Sequence, residues 1–335
     1  MGAPAFARDQ IKIVGSSTVF PYTQAAAEEF GKKTGKKAPV VESTGTGGGM
    51  KIFCKGIGEG NVEITGASRA MKKSEYELCT KNGVTDVTEL LIGYDGLSVA
   101  QSKKGQPMDL SKEQIFLALA SEVPDGDKLV ANPNKKWSDI DKSLPDTAIT
   151  IYGPPPTSGT RDAFVELAMH KGCGGLDYFK KQKSELDKKA YKNLIKEKCT
   201  PMRQDGPFIE AGENDNLIVQ RIEADPNSLG IFGYSFLYEN QDKLQGVKIS
   251  GTAPGFDTIA DGSYGLSRPL FIYIKNPHRK VIAGMDEFIA EYTGDDAMGR
   301  DGYLHERGLV VLSEDELKAV QERAKKGTKM DAPTS

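Results

Sequence analysis

The chain has 335 residues, which at roughly 150 residues per domain is about two domains. Hydrophobic residues make up 38% and charged residues 27%, so a packed core can form and disorder is excluded as the dominant state. Lysine and arginine (44) fall just short of aspartate and glutamate (47). The net charge of −3 lacks the basic surplus of a nucleic-acid coat, so no nucleic-acid partner is expected. The apolar run 115–120 is far shorter than the ~20 residues of a membrane span.

The start, through Ala5-Phe6-Ala7, has the small-x-small pattern of a secretory cleavage site. Residues 1–7 therefore read as a signal-peptide remnant, with the mature chain beginning near Arg8. A β-type run at 11–14 ends at Gly15, passes through Ser16-Ser17-Thr18, and enters a helix predicted over 21–33 and closed by Gly35. The pattern recurs with an extended segment at 38–42 and a glycine-rich loop, Ser43 to Gly49. There Met50, Ile52, Phe53 and Ile57 are spaced as one helix face. An alternating strand is expected at 62–65, before Gly66-Ala67-Ser68-Arg69. Ile92-Gly93-Tyr94-Asp95-Gly96-Leu97 follows the apolar Leu90 and Leu91.

A helix over 110–120 carries Ser111 as its N-cap. The third strand, loop and helix comprise 149–152, Thr157-Ser158-Gly159-Thr160 and a helix over 161–168. Residues 176–198 read as one lysine-rich helical region, 270–274 as a strand and 281–292 as a helix. The polar tail, 326–335, is expected to fray from Lys325 onward. Strands alternating with helices define an α/β protein.

The four cysteines form no CxxC pair, and the three histidines are scattered, so no metal site and no cofactor are expected. Of the three possible connectivities, the sequence-local one, Cys54–Cys79 with Cys173–Cys199, is the expectation. Each bond would stabilise the fold by roughly 3 kcal/mol through chain entropy. Disulfides together with a signal remnant indicate an oxidising compartment outside the cytoplasm.

Three strands thus run into Ser/Thr/Gly turns that open helices. Helix starts leave N–H groups unpaired and carry partial positive charge, glycine lets an anion approach, and hydroxyls donate further bonds. An ordinary N-cap accounts for any one such turn, but three in one chain point to convergence on a small oxyanion. Arg161, in the first turn of its helix, is unfavourable there unless an anion compensates it, and Arg69 is a second candidate cation. Asp95 supplies an acceptor. A carboxylate among donors favours phosphate, which can retain a proton, over sulfate, which cannot.

At Gly15 to Pro21, Gly45 to Lys51, Gly66 to Arg69, Tyr94 to Leu97, Ser158 to Phe164 and Gly230 to Tyr234, the chain resembles the substrate-binding proteins of bacterial ABC phosphate importers, the PstS family. The resemblance implies a type II periplasmic-binding-protein fold of two lobes, each a mixed sheet flanked by helices, with the ligand cleft between them. Lobe one is then 8–98 plus 262–325, and lobe two is 99–261. It implies a periplasmic monomer that binds inorganic phosphate, delivers it to a membrane permease and has no catalytic residues. Carried over by position, the ligand groups fall on Ser17, Thr18, Val19, Phe20, Thr46, Ser158, Gly159 and Thr160. Ser68, Arg69, Asp95 and Arg161 are added from the reading of the residues themselves. The best-known members carry aspartate at the position of Arg69 and arginine at the position of Pro154. Here Arg161 must supply the guanidinium, and Asp95, or failing it Asp162, the proton-accepting carboxylate. A receptor of the same fold for sulfate, molybdate or a phosphonate is the main alternative. An exported phosphatase lacks a nucleophile motif in this sequence.

Overall fold

The computed structural model describes residues 8–212 and 214–334; the remnant expected at 1–7 lies outside them. The chain divides into two compact units, one running to Asp95 and resuming at Arg268, the other spanning Gly96–Ser267.

In the first unit, strand Lys12–Gly15 pairs in parallel with Val40–Ser43 on one side and Ile64–Ala67 on the other. Ser267–Lys275 adds antiparallel to Ile64–Ala67, with Phe271 opposite Ala67, and the early part of Val87–Ser102 follows. The three parallel strands end on one edge, and each leads into a helix: Phe20–Thr34, Thr46–Phe53 and Lys73–Lys81. Helix Phe20–Thr34 buries Tyr22, Ala25, Ala26, Ala27 and Phe30, and the Phe30 ring meets Phe288 edge-on at 5.7 Å. Burying a phenylalanine of this kind stabilises a fold by roughly 1.5–3 kcal/mol.

In the second unit, the later part of Val87–Ser102 pairs antiparallel with Leu229–Gly233. Ile151–Gly153 runs parallel to Leu229–Gly233 and to Phe208–Glu210, and a helix follows each of these three strands. Helix Lys112–Leu119 starts at Ser111, whose Oγ accepts from Gln114 N while Gln114 Oε1 accepts from Ser111 N, a reciprocal capping box.

Disulfides join Cys54 to Cys79 in the first unit and Cys173 to Cys199 in the second. No described helix is long and apolar enough to cross a membrane.

Several expected elements shift. Helix Thr46–Phe53 ends before Ile57, because Gly56 and Gly58 adopt positive φ (155° and 108°) and leave Ile57 exposed. The strand expected at 62–65 lies at Ile64–Ala67 and is buried at every residue, so it does not alternate. The lysine-rich region is two helices, Asp177–Glu185 and Lys188–Cys199, because the Asp187 carboxylate accepts from Lys189 N and Ala190 N and starts a new one. The helix expected from 281 begins at Met285, after Gly284 in the left-handed region. Asp95 lies within strand Val87–Ser102. The tail is anchored rather than frayed: helix Glu314–Lys326 ends at Gly327, and Met330 is buried and donates its N–H to Val87 O at 2.8 Å.

Candidate functional site

The first unit gathers the first two turns at the carboxyl ends of its parallel strands. Ser16 N donates to Gly66 O at 2.9 Å and Thr44 N to Gly15 O at 2.9 Å, which locks three loops together. The approach is close enough to require glycine. A Cβ on Gly49 would lie 2.5 Å from Gly15 Cα, and one on Gly15, whose φ is +139°, would lie 2.2 Å from Gly66 O. The Ser16 hydroxyl turns inward to accept from Thr18 N at 3.2 Å, leaving Ser17 exposed ahead of Val19, the residue that opens helix Phe20–Thr34. Thr46, at the start of its helix, accepts from Ser68 N and shares a hydrogen bond with the Ser68 hydroxyl, both at 3.2 Å. Ser17, Thr18, Val19, Phe20, Thr46 and Ser68 therefore come from loops that touch.

Arg69 is turned to another task. It grips Glu75 with two N–H groups at 2.8 and 2.7 Å, and Glu75 in turn accepts from Lys72 N at the start of helix Lys73–Lys81. Burial works to raise the Glu75 carboxyl, but the Arg69 and Lys72 hydrogen bonds outweigh it and hold the group below its usual range.

The cation beside the Thr18 turn is Arg268, which the sequence analysis did not single out. Its Nε donates to Asp95 Oδ2 at 3.1 Å and its Nη2 to Thr18 Oγ1 at 2.5 Å. The side chains of this pair are only 8% and 13% exposed, so solvent does little to screen them. Burial pushes the Tyr22 phenol well above its ordinary value, and the Asp95 carboxylate pushes in the same direction. The signal for Arg268 was an arginine two residues before the β-prone run 270–274, shortly after the return to lobe one expected at 262.

In the second unit, Ser158 caps helix Gly159–Phe164, its Oγ accepting from Thr160 N at 3.2 Å. A π-helical turn, Val165–Met169, and helix His170–Gly175 continue the same run. Arg161 is buried, with its guanidinium 4.5 Å from the centroid of the Phe208 ring and Nη1 donating to Pro154 O at 3.1 Å. The guanidinium thus reaches back to the position at which the resemblance places an arginine in other members. Burial lowers the Arg161 pKa, opposed by the carboxylates of Glu210 and Asp162. A cavity of about 370 Å³ borders Arg161, Asp162, Phe208 and Glu210. Among the described residues, no group of three or more His, Cys, Asp or Glu is placed to hold a metal ion.

A two-unit α/β chain whose parallel strands end in hydroxyl- and glycine-bearing helix starts has the type II fold of the PBP superfamily, and residues 3–296 match the model of the PBP superfamily domain. More narrowly, the chain belongs to the PstS/SphX family of phosphate-binding proteins. It is 31% identical over 332 residues to the phosphate-binding protein PstS of Staphylococcus haemolyticus, covering 96% of this chain and 88% of that protein. It is 31% identical over 272 residues to the protein SphX of Synechococcus elongatus, covering 79% and 68%. A crystal structure described as a possible phosphate-binding protein from Planctomyces limnophilus superposes with a TM-score of 0.74 at 28% identity, covering 96% and 99% of the two chains.

Proposed function

We propose that this protein is an exported receptor that binds one inorganic phosphate per chain and hands it to the membrane permease of an ABC importer, without turning it over. The observation that carries the reading is that each unit holds a buried arginine beside a helix start rich in hydroxyls: Arg268 with Thr18 in one, Arg161 with Ser158 and Thr160 in the other. Amide and hydroxyl donors with guanidinium charge suit a small, multiply charged oxyanion. The proposed ligand groups in the first unit are Ser17, Thr18, Val19, Phe20, Thr46 and Ser68; those in the second are Ser158, Gly159, Thr160 and Arg161. Asp95 is the acceptor that favours a protonated phosphate over sulfate. The name of the staphylococcal relative, a phosphate-binding protein, supports the phosphate assignment, and the two disulfides support export to an oxidising compartment.

Isothermal titration of protein stripped of ligand by unfolding and refolding tests the proposal. One phosphate per chain is expected, with a dissociation constant of micromolar or tighter, about −8 kcal/mol or better. Sulfate should compete poorly. A flat phosphate titration of correctly refolded protein overturns the assignment.

A further inference from the structure

We propose that Arg268 is a positioning residue of the phosphate site, acting through both Thr18 and Asp95. The inference rests on the phosphate reading and adds to it a residue outside the segments that carry the resemblance.

A threonine hydroxyl carries one proton and two lone pairs. Arg268 Nη2 donates to Thr18 Oγ1 at 2.5 Å, and a guanidinium can only donate, so the Thr18 proton is left to point to another acceptor. Thr18 sits in the turn that opens helix Phe20–Thr34, where an anion oxygen would be that acceptor. Arg268 thereby fixes the polarity of the Thr18 hydroxyl as a donor toward the ligand.

The same side chain resolves a conflict in the site. A carboxylate next to a bound dianion repels it, yet the preference for phosphate over sulfate needs a carboxylate as acceptor. Arg268 Nε lies 3.1 Å from Asp95 Oδ2, and the pair is nearly closed to solvent, so the two charges cancel locally while Asp95 stays in a fixed orientation. The placement in the chain is economical. Asp95 is the last residue of the first unit before the chain leaves it, and Arg268 is the first residue on its return. One planar fork therefore ties both crossing strands to the turn that bears Thr18. Lysine, a point donor on a flexible stem, cannot hold both contacts in one geometry.

The test is titration of phosphate and sulfate into wild type, Arg268→Gln, Arg268→Lys, Thr18→Val and the Thr18→Val/Arg268→Gln double variant, with thermal unfolding of each. Arg268→Gln is expected to lose at least about tenfold in phosphate affinity and to narrow the ratio of phosphate to sulfate affinity, with Arg268→Lys intermediate. Thr18→Val should cost less in the Arg268→Gln background than in wild type, because the two substitutions remove one coupled arrangement. Wild-type affinity and selectivity in Arg268→Gln, or full additivity with Thr18→Val, overturns the role of Arg268. Should Arg268→Gln fail to fold, Arg268→Lys decides alone: reduced phosphate affinity supports the role and unchanged affinity overturns it. If wild type itself binds no phosphate, the phosphate reading falls and this inference falls with it.

Discussion

Gly49→Ala probes how the first-unit site is built. Gly49 lies in helix Thr46–Phe53, where alanine is ordinarily better than glycine by about 1 kcal/mol. Its added Cβ, however, would sit 2.5 Å from Gly15 Cα, 2.6 Å from Thr65 Oγ1 and 3.1 Å from Gly15 N. Backbone atoms cannot rotate aside, and Gly15 cannot back away, because its own backbone packs so closely on the next strand that a Cβ added there would lie 2.2 Å from Gly66 O. The helix start must retreat by about 1 Å, and overpacking of this kind costs about 1–3 kcal/mol, more than the helix gains. Gly47 in the same helix is the control, because a Cβ there meets nothing within 4 Å. Gly47→Ala should be neutral or stabilising by up to about 1 kcal/mol, and because both variants gain the same helix propensity, the two should differ by the overpacking cost, roughly 1–3 kcal/mol. Urea unfolding of both reads the difference, and phosphate titration should show Gly49→Ala weakened as Thr46 moves away from Ser68. A Gly49→Ala variant as stable as Gly47→Ala would refute the packing of the site on the Gly15 backbone.

Arg161→Met keeps an unbranched chain against Phe208 and removes the charge; phosphate affinity should fall roughly 10- to 150-fold, from the loss of about 1.5–3 kcal/mol, in isothermal titration. Unchanged affinity would remove Arg161 from the site. Asp95→Asn should chiefly raise sulfate affinity relative to phosphate, and retained selectivity in competition titrations would exclude Asp95 as the proton acceptor. Lys275 is fully buried over the Phe53 ring, its Nζ donating to Gly56 O at 2.6 Å, and burial pushes its pKa down to about 8 from 10.5, against the pull of Glu63. Between those values the unfolded chain holds the Lys275 proton more firmly than the native state, so this group makes stability rise with pH by about 1.4 kcal/mol per unit. Lys275→Met should flatten that rise between pH 8 and 9.5 in urea unfolding; an unaltered slope would show that Lys275 is not its source.

Much of this molecule is written locally. The Ser111 and Ser158 caps follow from side chains that satisfy backbone groups within a few residues, and the Gly35 stop from a backbone N–H that returns to Gly31 O; such contacts require no knowledge of the rest of the chain. The three hydroxyl-bearing turns were legible for the same reason, and the two sequence-local disulfide pairs were identified from spacing. The boundaries near Gly56 and at Gly284 were not legible, because a glycine permits positive φ without requiring it and no local signal marked these two. Tertiary structure alone decided the partners of the charged groups. Arg69, adjacent to the site in sequence, is drawn off by Glu75, whereas Arg268, 173 residues beyond Asp95, is brought to it by the pairing of Ser267–Lys275 into the first unit's sheet. An ion pair is a property of distance and desolvation, and neither is encoded in the neighbouring residues of a guanidinium.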